Sequence, residues 1–272
     1  MPRMSSAQPL QVSDGLLPLP RPLMTGEVLD AAFRLFRAGL LRCLPYSGLA
    51  VLVLELPTLY STFFAPASFS LHLLTSLVVL LLSAALLGVI TLRLLAVSRG
   101  QRPRFRAEIA TVLRRWPNAL IATIAALGLP LSLIGLEPMF NNVLPTVALL
   151  VVAVPLLWPT ALFVVALPAF WCDGLGPLAA IARAVRISRR QSWRVAGALL
   201  ATVCMIAVFY VLAAIVVGML SPMLGRADLF LIATVKSMMS LVVGAFGVPF
   251  VLAVLIVAYE DLKLRDRART GS

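Results

Sequence analysis

An arginine-rich stretch, CDGLGPLAAIARAVRISRRQSWR (residues 172–194), carries five arginines between two long apolar runs. A guanidinium group presents a planar fork of donors that suits phosphate, so the ligand could be nucleic acid, a substrate or lipid headgroups. On a helical wheel the charged and apolar side chains separate, with Arg183, Arg186, Arg190 and Arg194 on one face and Leu178, Ile181 and Val185 on the other. The pattern predicts a basic amphipathic helix, beginning at Gly176 and Pro177, that binds anionic headgroups. Nucleic acid is not favoured, because no aromatic platform or reading module accompanies the arginines.

Catalytic and metal-binding patterns are not found in the sequence. The chain has one histidine, His72, and its three cysteines do not have metal-ligand spacing. Three carboxylates, Asp173, Glu260 and Asp261, flank the ends of two apolar runs, where pairing with nearby arginines is favoured over catalysis. We therefore expect no enzymatic activity, no metal and no cofactor.

The composition is that of a membrane protein. Of the 272 residues, 61% are hydrophobic and 12% are charged, and the mean hydropathy is +1.01. The basic residues, except Lys236 and Lys263, are all arginine, which fits either a codon bias or a preference for phosphate headgroups. The apolar runs that could cross a bilayer are residues 44–64, 71–92, 119–136, 143–170, 195–220 and 229–259.

The arginines and lysines are distributed asymmetrically between these six predicted spans. Of the 23 basic residues, 21 fall in the two terminal segments and the second and fourth connections. The positive-inside rule assigns those segments to the cytoplasm, so both termini are predicted to be cytoplasmic. The predicted domains are a disordered tail over residues 1–23, a six-span membrane domain over 24–266 and a cytoplasmic tail over 267–272.

A repeated unit is suggested by what precedes spans one, three and five. In each case a basic amphipathic helix comes first, and the units begin near Thr25, Arg104 and Pro177. Arg114 and Arg115 precede a tryptophan in the second unit, and we predict that they also contact headgroups. Any six-span protein with long inner connections could show the same spacing, so the repeat remains one of two interpretations. The predicted fold class is all-α and polytopic, with six transmembrane helices and three basic amphipathic cytoplasmic helices.

Two charged residues lie within predicted spans, Glu55 in the first and Lys236 in the sixth. At the helical rise, Glu55 is ~16 Å from the inner end of its span and Lys236 is ~12 Å from the outer end of its own, in a core of ~30 Å. The depths nearly coincide, which predicts that spans one and six are neighbours and that the two charges form an intramembrane ion pair. The alternative is that each side chain reaches the outer interface alone. Such a pair would either hold the two spans together or form part of an ion path, and the structural role is favoured.

Three segments resemble a known family. They are GEVLDAAFRLFRAGLL (26–41), GLGPLAAIARAVRISRRQSWRVAGALL (174–200) and AYEDLKLR (258–265). They are similar to the membrane domain of bacterial glycerophosphoryl diester phosphodiesterases and of related stand-alone multipass membrane proteins. The resemblance covers residues 24–266 and implies a six-span helical domain of unsettled function. In that family the phosphodiesterase is a separate domain after the membrane part, and because this chain ends at Ser272 we expect no such activity.

Two functions remain after these considerations. The first is a non-enzymatic protein of the bacterial inner membrane that organises lipid, with anionic headgroups expected, or an unidentified protein partner at the cytoplasmic face. The second is a small-molecule transporter or permease component, because Gly244, Gly247 and Pro249 interrupt span six and three prolines interrupt span four.

Overall fold

The computed structural model describes residues 21–63, 69–101, 105–135, 159–220 and 229–270. These ranges are helical almost throughout and contain no strand. The helices are α1 Thr25–Phe63, α2 Phe69–Ser98, α3 Phe105–Gly135, α4 Ala166–Asp173, α5 Pro177–Ser188, α6 Ser192–Leu220 and α7 Leu229–Thr270. A helical segment over residues 159–164 precedes α4.

Four of the helices are long and apolar enough to cross a membrane. Their candidate spans are Thr25–Leu56, Leu74–Ser98, Ser192–Val216 and Ser237–Arg269. They overlap the first, second, fifth and sixth runs predicted from the sequence. Residues 119–135 of the third predicted run belong to α3, which is not among these four. Residue 136 of that run and residues 143–158 of the fourth lie outside the described ranges. Within the described ranges the chain is therefore all-helical and has four candidate membrane spans.

Two of the predicted amphipathic helices are continuous with the spans that follow them. Residues 26–41 belong to α1, which runs on to Phe63, and residues 105–118 belong to α3, which runs on to Gly135. Gly39 lies inside α1 and lets α2 pack closely against it, since a Cβ there would lie 2.8 Å from Leu94 Cδ2. Only the third amphipathic segment forms a separate helix, α5, which begins at Pro177 as predicted.

The centre of the fold is the antiparallel pair of α1 and α7, which confirms that the first and last spans are neighbours. The hydroxyl of Ser47 donates to the carbonyl of Ala245 at 2.6 Å. A Cβ on Gly244 would lie 2.7 Å from Val51 Cγ2, so glycine lets the two helices approach closely. Every α7 residue from Leu252 to Tyr259 is buried. By contrast, α6 lies at the periphery with most of its apolar side chains exposed.

The predicted breaks in spans four and six have different outcomes. α7 continues as an α-helix through Gly244, Gly247 and Pro249, so the predicted interruption of span six is wrong. Packing against Val51 of α1 explains Gly244. Pro249 has no N–H for the carbonyl of Ala245, and the Ser47 hydroxyl of α1 donates to that carbonyl instead. In span four the helix is interrupted at Val165, and Pro168 explains this, since its ring clashes with the carbonyl four residues earlier.

Candidate functional site

Asp173, the last residue of α4, is the centre of a network of polar side chains. α4 ends here because Gly174 adopts the left-handed conformation, with φ of 66°. Lys263 Nζ donates to Asp173 Oδ1 at 2.6 Å, and the Tyr259 hydroxyl donates to Oδ2 at 2.5 Å. Arg183 Nε lies 3.1 Å from the same Oδ2. The carboxylate thus joins α4, α5 and α7.

The electrostatics of this network keep Asp173 ionised. Burial alone would raise the pKa of Asp173, but hydrogen bonds from Lys263 and Tyr259 and the charges of Lys263 and Arg183 outweigh it, so the pKa is lowered. The pKa of Arg183 is raised, first by its hydrogen bond to the Tyr259 hydroxyl. A carboxylate held in this way is a poor proton acceptor, and the network is suited to fixing helices rather than to acid–base chemistry.

A second network lies on the other side of α7 and holds the backbone of Leu23. Asp261 Oδ1 accepts the Leu23 N–H at 2.7 Å, and Arg265 donates to Asp261 Oδ2 at 2.9 Å. Arg194 and Arg265 each donate to the Leu23 carbonyl at 2.6 Å. Leu23 is 9% exposed, although the sequence assigns it to a disordered tail. Residues 1–20 of that tail lie outside the described ranges.

These two networks together form what we call the polar clamp. Its members are Leu23, Asp173, Arg183, Arg194, Tyr259, Asp261, Lys263 and Arg265. The clamp confirms the predicted pairing with arginine for Asp173 and Asp261. Glu260 pairs instead with a lysine, its Oε1 lying 3.9 Å from Lys263 Nζ. No group of three or more His, Cys, Asp or Glu residues in the described ranges could hold a metal ion.

The six arginines predicted to contact headgroups lie in three different environments. Arg183 and Arg194 are half-buried members of the clamp. Arg114, Arg186 and Arg190 are exposed and make no ion pair within the described ranges, while Arg115 is half-buried beside Gly174. The four arginines assigned to one face do not share one helix, because a turn at 189–191 separates α5, which carries Arg183 and Arg186, from α6, which carries Arg194. No glycine or proline marks that turn, so the helical wheel missed it.

No family model, curated protein or solved structure matches the chain. The function proposed below therefore rests on the residues of this chain alone.

The predicted intramembrane pair is described for one of its members. Ser240 donates to Glu55 Oε1 at 2.7 Å, which places the Glu55 carboxylate against α7. The side chain of Lys236 lies outside the described residues. Residues four apart share a helix face, so position 236 lies one turn from Ser240 on the same side of α7. The pairing of Glu55 with Lys236 remains a prediction.

One buried ion pair was not predicted from the sequence. Arg93 Nε donates to Glu108 Oε2 at 2.8 Å, with the two side chains only 12% and 8% exposed. The Arg93 guanidinium also lies 4.1 Å from the ring centroid of Tyr46 and donates to the Arg42 carbonyl at 2.7 Å. It joins α1, α2 and α3. The sequence feature that could have indicated this pair is the position of Arg93 at the end of an apolar run. That position is equally typical of a charge at the membrane surface, so it does not predict a buried partner.

Proposed function

We propose that this chain is a non-enzymatic integral membrane protein that organises anionic lipid, or a partner protein, at the cytoplasmic face of the bacterial inner membrane. In this proposal it has six spans with both termini in the cytoplasm, and six spans are also what the resemblance to the membrane domain of glycerophosphoryl diester phosphodiesterases implies. The described carboxylates of the clamp are engaged by cations, which supports a structural role for them.

The observation that carries the proposal is that exposed arginines lie close in sequence to exposed tryptophan and leucine side chains. Leu113 and Trp116, which are 62% and 45% exposed, accompany Arg114 on α3. Trp193 is 73% exposed and follows Arg190 closely in the chain. Guanidinium groups beside exposed tryptophan and leucine are typical of the membrane interface, where the cations meet phosphate and the apolar groups enter the acyl region. These arginines make no ion pair in the described ranges and so have their charge available.

Transport of a small molecule is the second candidate, and Glu55 is the observation that favours it. A carboxylate in a candidate span that accepts a hydroxyl hydrogen bond from Ser240 could take part in an ion path. The continuity of α7 through its glycines removes one argument for transport. Saturable uptake of a solute by proteoliposomes, abolished by Glu55→Gln, would favour transport over lipid organisation.

The proposed topology gives a first prediction. Reporter fusions at Gly100, at Gly174 and at the C-terminus are expected to read cytoplasmic, because the basic connections are retained inside. Fusions at Ala67, Asn141 and Gly225 are expected to read external. Paired alkaline phosphatase and fluorescent protein fusions would measure this. An external reading at Gly174 would contradict the six-span arrangement.

The lipid function gives a second prediction. Replacing Arg114, Arg186 and Arg190 together with glutamine is expected to weaken binding of phosphatidylglycerol by about a hundredfold at low salt, since each arginine near an anionic surface contributes about 1 kcal/mol. Native mass spectrometry of the detergent-purified chain, titrated with phosphatidylglycerol or phosphatidylcholine, would measure it. Added salt is expected to weaken the wild-type binding in the same direction.

The matched control removes the same number of charges elsewhere. Arg21 and Arg34 are exposed but already ion-paired, and Arg269 lies in the last turn of α7. Replacing these three with glutamine is expected to leave most of the binding intact. Equal losses in the two triple variants would mean that net charge, rather than the arginine and tryptophan surface, attracts the lipid.

A further inference from the structure

A lateral cavity of about 370 Å³ lies between α1, α6 and α7. Ten residues line it, and none has a polar side chain. One end is closed by an aromatic cluster in which the rings of Phe36 and Phe250 meet edge to face at 5.5 Å. Phe33 joins the cluster with its ring centroid 6.4 Å from that of Phe250. A polar metabolite would find no hydrogen-bonding side chain in the cavity, whereas hydrocarbon would fit its walls.

The cavity is too narrow for another helix. Its lining runs along α7 from Val242 to Phe250, which is about 12 Å at the helical rise. The empty space between the walls, about 860 Å³ with the open side included, gives a mean cross-section of roughly 70 Å² over that length. A helix with side chains is about 10–12 Å wide and needs roughly 80–110 Å². The space therefore suits one extended hydrocarbon chain better than a helix of a second copy.

The aromatic end of the cavity lies beside unpaired positive charge. Arg37 is exposed, follows Phe33 by one helical turn and makes no ion pair within the described part of the chain. Arg34 and Arg42 are also exposed on α1, and exposed guanidinium groups belong at the level of the headgroups. Phe36 contacts Phe250 and Glu55 contacts Ser240, so the cavity runs from this level towards the middle of the span.

We infer that this cavity binds one acyl chain of an anionic phospholipid whose phosphate is held by Arg37. The inference rests on the proposed placement in the membrane and deepens the proposed lipid function. It defines a site separate from Arg114, Arg186 and Arg190, since none of those residues lines the cavity. The aromatic cluster forms one end of the site, and the lipid enters from the bilayer through the open side of the cavity.

The test fills the cavity in the intact protein. Val242 lines the cavity and is 52% exposed, so Val242→Trp should occupy the space without disturbing a buried core. The tightest phosphatidylglycerol, measured by native mass spectrometry after stepwise delipidation, is expected to bind at least about tenfold more weakly, because several methylene contacts are lost. The control Val211→Trp places the same ring on an exposed position of α6 that does not line the cavity, and it should retain the lipid.

The headgroup contact has its own test. Arg37→Gln is expected to weaken binding of the tightest phosphatidylglycerol about fivefold and to leave phosphatidylcholine binding unchanged. The control Arg34→Gln removes an exposed charge that is already paired with Asp30, and it should change the binding of neither lipid. Unchanged lipid affinity in Val242→Trp would overturn the site. The site would also be overturned if the wild-type protein were a dimer and Val242→Trp dissociated that dimer without weakening lipid binding. An equal effect of Arg37→Gln on both lipids would overturn the phosphate contact.

The Arg114, Arg186 and Arg190 triple variant separates this inference from the proposed function. If the triple variant keeps the tightest phosphatidylglycerol and loses the more weakly bound ones, the proposed lipid surface and the cavity site are both supported. If the triple variant loses no phosphatidylglycerol, the proposed surface is wrong and the cavity site is still supported.

Discussion

Asp173→Ala is expected to lower the free energy of unfolding by about 2–3 kcal/mol, one of the two largest effects that we expect from a change in this chain. The substitution leaves Lys263 and Arg183 half-buried without their carboxylate, and an uncompensated buried charge costs more than a lost contact. The side chains involved are 15–28% exposed, so we expect a value below that of fully buried pairs. Denaturant titration of the purified protein in detergent, followed by circular dichroism, would measure it.

Asp30 provides the matched control. It forms an ion pair with Arg34 at 2.6 Å, but both side chains are at least 60% exposed. Asp30→Ala is expected to cost less than about 0.5 kcal/mol. Equal destabilisation by the two alanine variants would contradict a structural role for the polar clamp.

The pH dependence provides a second check on Asp173. Because its folded-state pKa is lowered, the stabilisation is present above the ordinary value of 3.8 and is lost as the pH falls through the lower folded value. The wild-type protein should therefore lose stability below about pH 4. Asp173→Asn should show a smaller loss over that window, while Asp30→Asn should behave as the wild type does.

Exchanging the charges of Glu55 and Lys236 is expected to have the other large effect. Glu55→Lys or Lys236→Glu alone would bring two like charges to one level of the bilayer, at a cost of at least about 3 kcal/mol, so folded yield should fall steeply. The double exchange restores opposite charges and should recover much of that yield. Fluorescence size-exclusion chromatography of tagged variants would measure folded yield.

The control for this pair is Ser240→Ala. It removes the hydroxyl that donates to Glu55 and should cost about 1 kcal/mol, a smaller effect than either charge reversal. A double exchange with a yield as low as the worse single variant would show that the two charges do not face each other.

The helices follow from hydropathy, but their ends do not. Long apolar runs predict α1, α2, α6 and α7 because backbone groups in a bilayer must bond within the segment. The same runs could not show that α1 continues from the amphipathic segment into the span, since the helix runs unbroken across the change from mixed to apolar sequence. Gly244 was predicted to interrupt span six, whereas it lies within the continuous α7 and lets α7 pack closely against Val51 of α1.

The polar clamp was predictable in kind but not in detail. The composition of the helix ends predicted that Asp173 would find a cation, and this is confirmed. The choice of Lys263 and Arg183 depends on how α4, α5 and α7 meet, which no spacing within one segment reveals. The turn at 189–191 redirects Arg194 towards Leu23 and leaves Arg190 exposed, so one periodic pattern supplies residues for two different purposes.

The way in which Leu23 is attached has a consequence for how this segment can change during evolution. All three hydrogen bonds to it engage the peptide N–H or carbonyl, so the polar part of the attachment does not depend on which side chain is present. Any apolar residue that fits the buried site preserves the contact, except proline, which has no N–H to donate to Asp261. Position 23 can thus change among apolar residues between related chains, while a change of Asp261, Arg194 or Arg265 would remove a hydrogen bond that holds it.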